Sequence, residues 1–293
     1  MKKIILLGLV SILIFTCCDR LDNKDSKVNQ TTRIVCVSKQ INEFIYAIGA
    51  EQDLVAVDLS SIYPEAIKKL PNVGYHRALS AEGILSMKPT LFLHDGSVGP
   101  DAVIAQIKQV GIPMLEMKPG KNSIDTAMQL MHTVGVYFNK EVAADSVIKL
   151  WKSNLQAALA DTLKSVGKKK PRVMIIHYGQ AANVYLAVAK NSPADQVITW
   201  AGGVNAIDTV GGLSRLTSPE KIANAAPDII LATDYGFDKF GDAEKFATMP
   251  GVALTPAGKN KRIYRIDESE IIYFGPRTPS VIQKVRGYLN AAN

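Results

Sequence analysis

Residues Gly74–Leu93 read GYHRALSAEGILSMKPTLFL, and this stretch decides the fold because its latter part occurs twice. Ser80-Ala81-Glu82, Pro89 and the apolar run Leu91–Leu93 are echoed by Ser218-Pro219-Glu220, Pro227 and Ile229–Leu231, in the same order and at the same spacing. In each copy a serine suited to cap a helix opens a short helical turn. A proline then ends the turn, and a strand-like apolar run follows. The loops in front differ: Gly74-Tyr75-His76-Arg77 leads the first copy and Gly211-Gly212-Leu213-Ser214-Arg215 the second. A repeated framework with unlike loops predicts two similar lobes that offer different side chains to something held between them.

Outward from this repeat, strands and helices alternate. Arg33–Ser38 reads as a buried strand, Ile41–Ile48 as a helix ending at Gly49, and Leu54–Val57 as a second strand. After Thr90–Leu93 come a helix at Val103–Val110 and a strand at Pro113–Met117, so residues 33–122 form an N-terminal α/β lobe. Residues 123–170 are a connecting helical segment without a strand-like run, in which Val147, Trp151, Leu155 and Leu159 recur at helical spacing. A joint at Asn139-Lys140 leaves a helix from Glu141 to Val166, about 40 Å long at the helical rise, enough to pass from one lobe to another. Residues 171–293 form the C-terminal α/β lobe. Its strands are Arg172–Ile176, Ile229–Ala232 and Arg262–Ile266, its helices Asp195–Trp200, Ser218–Ala225 and Pro279–Leu289, and Thr233–Asp242 reads as a loop. The predicted fold class is therefore α/β: two parallel-sheet lobes joined by one long interdomain helix, with the ligand cleft between the lobes.

Composition bounds the function. A chain of 293 residues exceeds a single ordinary core. Its net charge of +7 suits anionic ligands, but no basic and aromatic stripe points to nucleic acid. Residues 1–18 read as a lipoprotein-type signal peptide: Lys2-Lys3 precede the apolar run Ile4–Phe15, which is shorter than the ~20 residues a spanning helix needs. At its end, Cys17 or Cys18 is the candidate lipidation site, a lipid anchor to the membrane. The other reading is simple cleavage, with two apolar residues closing the run. Residues 19–32 form a polar tether. The expected location is extracytoplasmic. Cys36, in an apolar strand, reads as a buried, inert thiol, and no disulfide framework is available.

Further segments join the first in one family likeness. GYHRALSAEGILSMKP, Trp200-Ala201-Gly202-Gly203-Val204-Asn205-Ala206, Leu254-Thr255-Pro256-Ala257-Gly258 and Phe274-Gly275-Pro276-Arg277 stand in the right order. Together they resemble the substrate-binding proteins of ABC transporters for cobalamin, siderophores and haem, a family with a helical backbone. Within it they are most similar to the haem-uptake branch, from about Arg33 to Leu289. The resemblance implies a monomeric, non-enzymatic carrier of haem, with an ABC permease/ATPase complex as partner and Tyr75 as the haem iron ligand. Cobalamin or a ferric siderophore on the same scaffold, and a haem-scavenging lipoprotein without a permease, remain rival readings. An enzyme is disfavoured by the lack of a Gly-x-Ser-x-Gly elbow or phosphate loop.

The residue chemistry agrees with that implication. Ferric iron is a hard acid, phenolate is a hard donor, and tyrosine is an established haem ligand class. Arg77 is placed to favour the phenolate by a charge-assisted hydrogen bond. The plainer reading is a loop tyrosine packed by its ring, with the arginine facing water. Among the histidines, His76 adjoins the proposed ligand, His94 and His177 end predicted strands where α/β sheets bind ligands, and His132 lies on a helix. By resemblance, His177 is the candidate second-lobe contact. Tyr235 stands where relatives often place an arginine, and either stacks on the porphyrin, ligates iron or packs within its loop. The resemblance assigns Glu82 and Glu220, one per lobe, to docking on the permease. Both also suit the first turn of a helix on electrostatic grounds alone.

Overall fold

Four short apolar strands make the first sheet: β1 (Ile34–Val37), β2 (Leu54–Val57), β3 (Leu91–His94) and β4 (Met114–Glu116). All pair in parallel, in the order β2-β1-β3-β4. Helix α1 (Lys39–Ala47) joins β1 to β2, α2 (Ala81–Ser86) precedes β3, and α3 (Asp101–Gln109) leads into β4. Every residue of β1 and β3 is buried, which is why β1 is an unbroken apolar run and β3 is one up to its last residue, His94. Cys36 lies in this core, and burial pushes its thiol well above the ordinary range. Because β1 sits between β2 and β3, the chain leaves it in both directions. The gap at the carboxyl ends of β1 and β3 is thus a topological switch point.

The computed structural model describes residues 32–163, 170–178, 185–216 and 218–291. The expected signal peptide, Cys17 and Cys18, nearly all of the tether and Val166 fall outside these residues.

The connecting segment is an antiparallel pair, α4 (Ile124–Tyr137) and α5 (Glu141–Leu163). They meet at Asn139, whose left-handed backbone (φ 53°) makes the sharp turn. Gly135 permits the close approach: a Cβ there would lie 2.4 Å from the Cβ of Ala144. Helix α5, about 35 Å long by its rise, serves two cores. Its Ala144 and Trp151 pack with Phe44, Leu93 and Met131 of the first lobe. Its Leu155 and Ala158 pack with Val197, Ile198 and Val285 of the second.

The second sheet contains β5 (Arg172–Tyr178), β6 (Tyr185–Val188), β7 (Val204–Asn205), β8 (Leu213–Leu216), β9 (Ile229–Thr233) and β10 (Ile263–Ile266), with the order β10-β9-β5-β6-β8 and β7 beside β5. Helix α6 (Pro193–Ala201) precedes β7, and α7 (Pro219–Ala225) precedes β9. After β9 come α8 (Asp234–Phe240), α9 (Ala243–Ala247) and α10 (Pro256–Lys259), and after β10 come α11 (Glu268–Ile271) and α12 (Thr278–Asn290). Strands β10, β9 and β5 pair in parallel, as expected, and so does the short β7 with β5, but β6 and β8 run antiparallel. This sheet is therefore mixed. Three strands, β6, β7 and β8, escape sequence reading: β7 is only two residues long, β8 lies at the sheet's edge, mostly exposed and polar at Ser214 and Arg215, and β6 is a short apolar run that the sequence reading passes over. Thr233–Asp242 is likewise mostly helix rather than loop. Gly236 weakens the helix signal, while Phe237 stacks on Phe246 and holds the turn in place.

The repeat is real at the level of single hydrogen bonds. Arg33 donates from Nε and Nη2 to the carbonyls of Met87 and Lys88 at the end of α2, and Arg172 donates from Nε to that of Ala225 at the end of α7. Both helices finish on a left-handed residue, Lys88 (φ 49°) and Ala226 (φ 45°), directly before a proline. The lobes are tied where α1 meets the start of α12. Gln40 donates to the carbonyl of Phe274 at 2.9 Å, and Glu43 receives Arg277 Nη2 at 2.7 Å and the Tyr273 hydroxyl at 2.8 Å. From Thr32 onward the chain forms one compact unit.

Candidate functional site

A cleft of about 1030 Å³ lies between the carboxyl ends of the two sheets, at or slightly beyond the upper end of the ~300–1,000 Å³ usual for small-molecule sites. The first lobe supplies residues that follow β1, β2 and β3: Ser38 and Lys39, Asp58 and Leu59, and Asp95. The second supplies His177 from β5, Tyr235 from α8, which follows β9, and Glu268, which follows β10. Tyr75, His76 and Arg77 line the same cleft. The structure thus brings together five residues singled out from the sequence, three from one lobe and two from the other.

Tyr75 stands on a braced loop. Its carbonyl accepts from Ala78 N–H at 2.8 Å. The flanking strand of loop is pinned by Gly99 N–H to the His76 carbonyl and by Leu79 N–H to the Gly99 carbonyl. Tyr75 is 46% exposed, and its ring lies against the His76 imidazole, ring centres 4.2 Å apart. His76 Nδ1 is 3.9 Å from the carboxylate of Asp58, which is buried and accepts hydrogen bonds from Ser60 and Ser61. Burial holds the His76 imidazole below its ordinary pKa, and Asp58 pulls the other way. Arg77 is exposed, and no hydrogen bond joins it to Tyr75 among the described residues. The expected phenol–guanidinium bond is therefore not formed among these residues.

The floor is polar and crosses between lobes. Lys39 Nζ sits 3.2 Å from Glu268 Oε1, and the other oxygen of Glu268 is 3.7 Å from His177 Nδ1. Thr233 Oγ1 lies 3.2 Å from the same ring nitrogen. Behind the floor, the ion pair of Glu43 and Arg277 is itself largely buried, and Arg277 stacks on the Tyr63 ring at 3.7 Å. Burial and the Glu43 carboxylate push the Tyr273 phenol well above its ordinary value. The walls are apolar by contrast: Leu59 and Tyr75 on one lobe, Leu213, Tyr235 and Ile272 on the other, all exposed. Exposed apolar groups on both faces of one cleft suit a flat, apolar ligand. Among the described residues, no cluster of three or more His, Cys, Asp or Glu side chains is set to hold a bare metal ion.

Other sequence candidates lie elsewhere. His94 is buried, with Nδ1 accepting from Gly96 N–H at 3.1 Å, and does not line the cleft. His132 pairs with Asp145 across α4 and α5 at 2.9 Å. Glu82 and Glu220 are exposed in the first turns of α2 and α7, where the Ser218 hydroxyl holds the Glu220 carboxyl below the usual range. Sequence reading missed Lys39, Asp58 and Glu268. Each comes just after a strand end, the position from which such sheets present ligand-binding side chains, and that position was the available signal.

The periplasmic binding protein family matches residues 34–270 of the chain. A curated relative, an uncharacterised ABC transporter substrate-binding lipoprotein of Bacillus subtilis (strain 168), is 25% identical over 92% of this chain and 90% of its own. The vitamin B12-binding protein of Vibrio vulnificus (strain CMCP6) is 23% identical over 86% and 88%. Among solved structures, the apo form of the periplasmic haem-binding protein RhuT from Roseiflexus sp. RS-1 superposes with a TM-score of 0.80. It is 32% identical, covering 90% of this chain and 100% of the other.

Proposed function

The chain belongs to the periplasmic binding protein family, of the substrate-binding type that serves ABC transporters, and on that premise we propose that its cargo is haem. The observation that carries this reading is the cleft itself, where an exposed phenol from one lobe and an imidazole from the other share apolar walls. Ferric iron takes both donor types, and Tyr75 is the assigned ligand, with His177 the second-lobe contact. Arg77 and Lys121, both lining the cleft without an ion-pair partner among the described residues, suit the two carboxylates of the porphyrin. His76 backs the ring of Tyr75, and Tyr235 offers a stacking face. Burial of the macrocycle supplies most of the binding energy.

Such a family carries no catalytic chemistry, and its place is extracytoplasmic. Among the described residues, no helix is long and apolar enough to cross a membrane. Attachment is by lipid at Cys17 or Cys18, the chain acts as a monomer, and Glu82 and Glu220 meet the permease. Cobalamin is the second reading, favoured by the likeness to B12-binding relatives.

The test is an absorption titration of the native chain and Tyr75→Ala with ferric haem, beside a titration with cobalamin. A saturable spectrum carrying the charge-transfer band of a tyrosinate haem, lost in the variant, is expected. Equal binding by both proteins moves iron ligation to His177 or Tyr235. Saturation by cobalamin alone overturns the haem reading.

A further inference from the structure

We propose that Glu268 is a positioning residue for His177: its carboxylate holds the Nδ1 edge of the ring, so that Nε2 is presented to the cargo from the second lobe. The inference rests on the haem reading and deepens it by giving the second contact a built-in orientation.

Three observations carry it. First, Nδ1 of His177 has two protein oxygens beside it, Thr233 Oγ1 at 3.2 Å and Glu268 Oε2 at 3.7 Å, whereas Nε2 has no partner among the described residues. At 3.7 Å the carboxylate acts on the ring by its charge and not by a direct hydrogen bond, and a negative charge beside Nδ1 favours the tautomer with the proton there and the lone pair on Nε2. Metal-binding histidines are oriented in this way, by a carboxylate on the nitrogen that does not bind. Second, Glu268 is itself held. Its Oε1 takes Lys39 Nζ at 3.2 Å, and its backbone N–H donates to Asp234 Oδ1 at 3.0 Å, which leaves Oε2 directed at the ring. Third, Lys39 comes from the first lobe, so the same carboxylate that orients His177 also sets its distance from the wall that bears Tyr75. A ligand gripped from both sides needs that distance fixed before it arrives.

The test is a double-mutant cycle on the full chain, read by ferric haem affinity and by the electron paramagnetic resonance spectrum of the bound haem. Glu268→Gln is expected to weaken affinity by roughly tenfold, the lower bound for loss of such an orienting group, and to shift the spectrum in the same direction as His177→Ala. In the His177→Ala background, Glu268→Gln is expected to change neither readout, because it acts through the ring. Thr233→Val, which removes the other oxygen at Nδ1, is run through the same cycle so that a misfolded Glu268→Gln does not end the test. An unchanged spectrum in Glu268→Gln, or equal losses in both backgrounds, overturns the proposal. A native spectrum in His177→Ala overturns it too, while leaving ligation by Tyr75 standing. If the native chain takes up no haem, the proposal and the haem reading fall together.

Discussion

His94 and His177 end equivalent-looking runs, yet only one reaches the cleft. Val37 of β1 and Glu116 of β4 flank His94 in the sheet, its side chain is buried at 7% exposure, and Nδ1 is occupied as an acceptor. Burial accordingly holds its pKa below the ordinary value of about 6.5, with the Glu116 carboxylate opposing. The sign of the pH dependence follows. The unfolded imidazole takes a proton before the folded one, so its share of stability is complete above about pH 6.5 and is lost as pH falls toward the depressed folded-state value. His76, lowered by burial as well, adds to the same slope. Urea midpoints are therefore expected to fall between about pH 7 and pH 5. His94→Gln, whose amide oxygen still accepts the Gly96 bond without titrating, is expected to flatten part of that fall. A native midpoint constant over this range would contradict the assignment. What separates these two histidines is packing: one is buried between its neighbours in the sheet and the other lines the cleft, and strand patterns alone do not report that.

At the level of elements, helix α5 and the α1–α12 junction decide how far the lobes can move. A helix whose halves belong to different cores resists bending because each half is fixed by packing. The junction adds a polar lock: Glu43 is 3% exposed in its side chain, Arg277 17%, and the carboxylate collects the guanidinium and the Tyr273 hydroxyl together. Removing one partner of such a pair leaves a buried charge uncompensated, at a cost of about 3–5 kcal/mol. Arg277→Met is expected to lower the unfolding free energy by that order in chemical denaturation. Adding Glu43→Gln is expected to recover part of the loss. Independent, additive losses would mean that the pair does not act as a unit. The FGPR segment was visible in the sequence as a likeness, but its partner Glu43 lies far away in the chain. Only the folded structure joins them.

For the whole molecule, the internal repeat places one glutamate in each lobe on matched helices. Glu82 and Glu220 lie in the first turns of α2 and α7, each helix is closed by an arginine at or just before the first strand of its own lobe, and each precedes an inner strand, β3 or β9. Neither glutamate lines the cleft. If they meet the permease, Glu82→Lys with Glu220→Lys is expected to abolish haem uptake in cells while leaving haem affinity in solution within about twofold. Uptake that survives the double reversal would point to a scavenging protein without a transporter partner. Loss of affinity as well would mean that the substitutions disturb the lobes.

Local and repeating properties were legible in the chain itself. Buried parallel strands declare themselves as apolar runs, caps and prolines mark helix ends, and a duplicated segment keeps its spacing. These sufficed for two α/β lobes and the connecting helices, whereas the candidates Tyr75, Arg77, His177 and Tyr235 rested on the family likeness of their segments. The tertiary structure alone decided what depends on long-range placement. It made the second sheet mixed, because the direction in which β6 and the exposed edge strand β8 pair is set by their place in the sheet and not by their own residues. It turned the loop of Tyr235 into a helix, because packing of Phe237 outweighs a weak local preference. It also assembled Lys39, Glu268 and His177 into one floor, since charge pairing across a cleft depends on distances in space that separation along the chain does not encode.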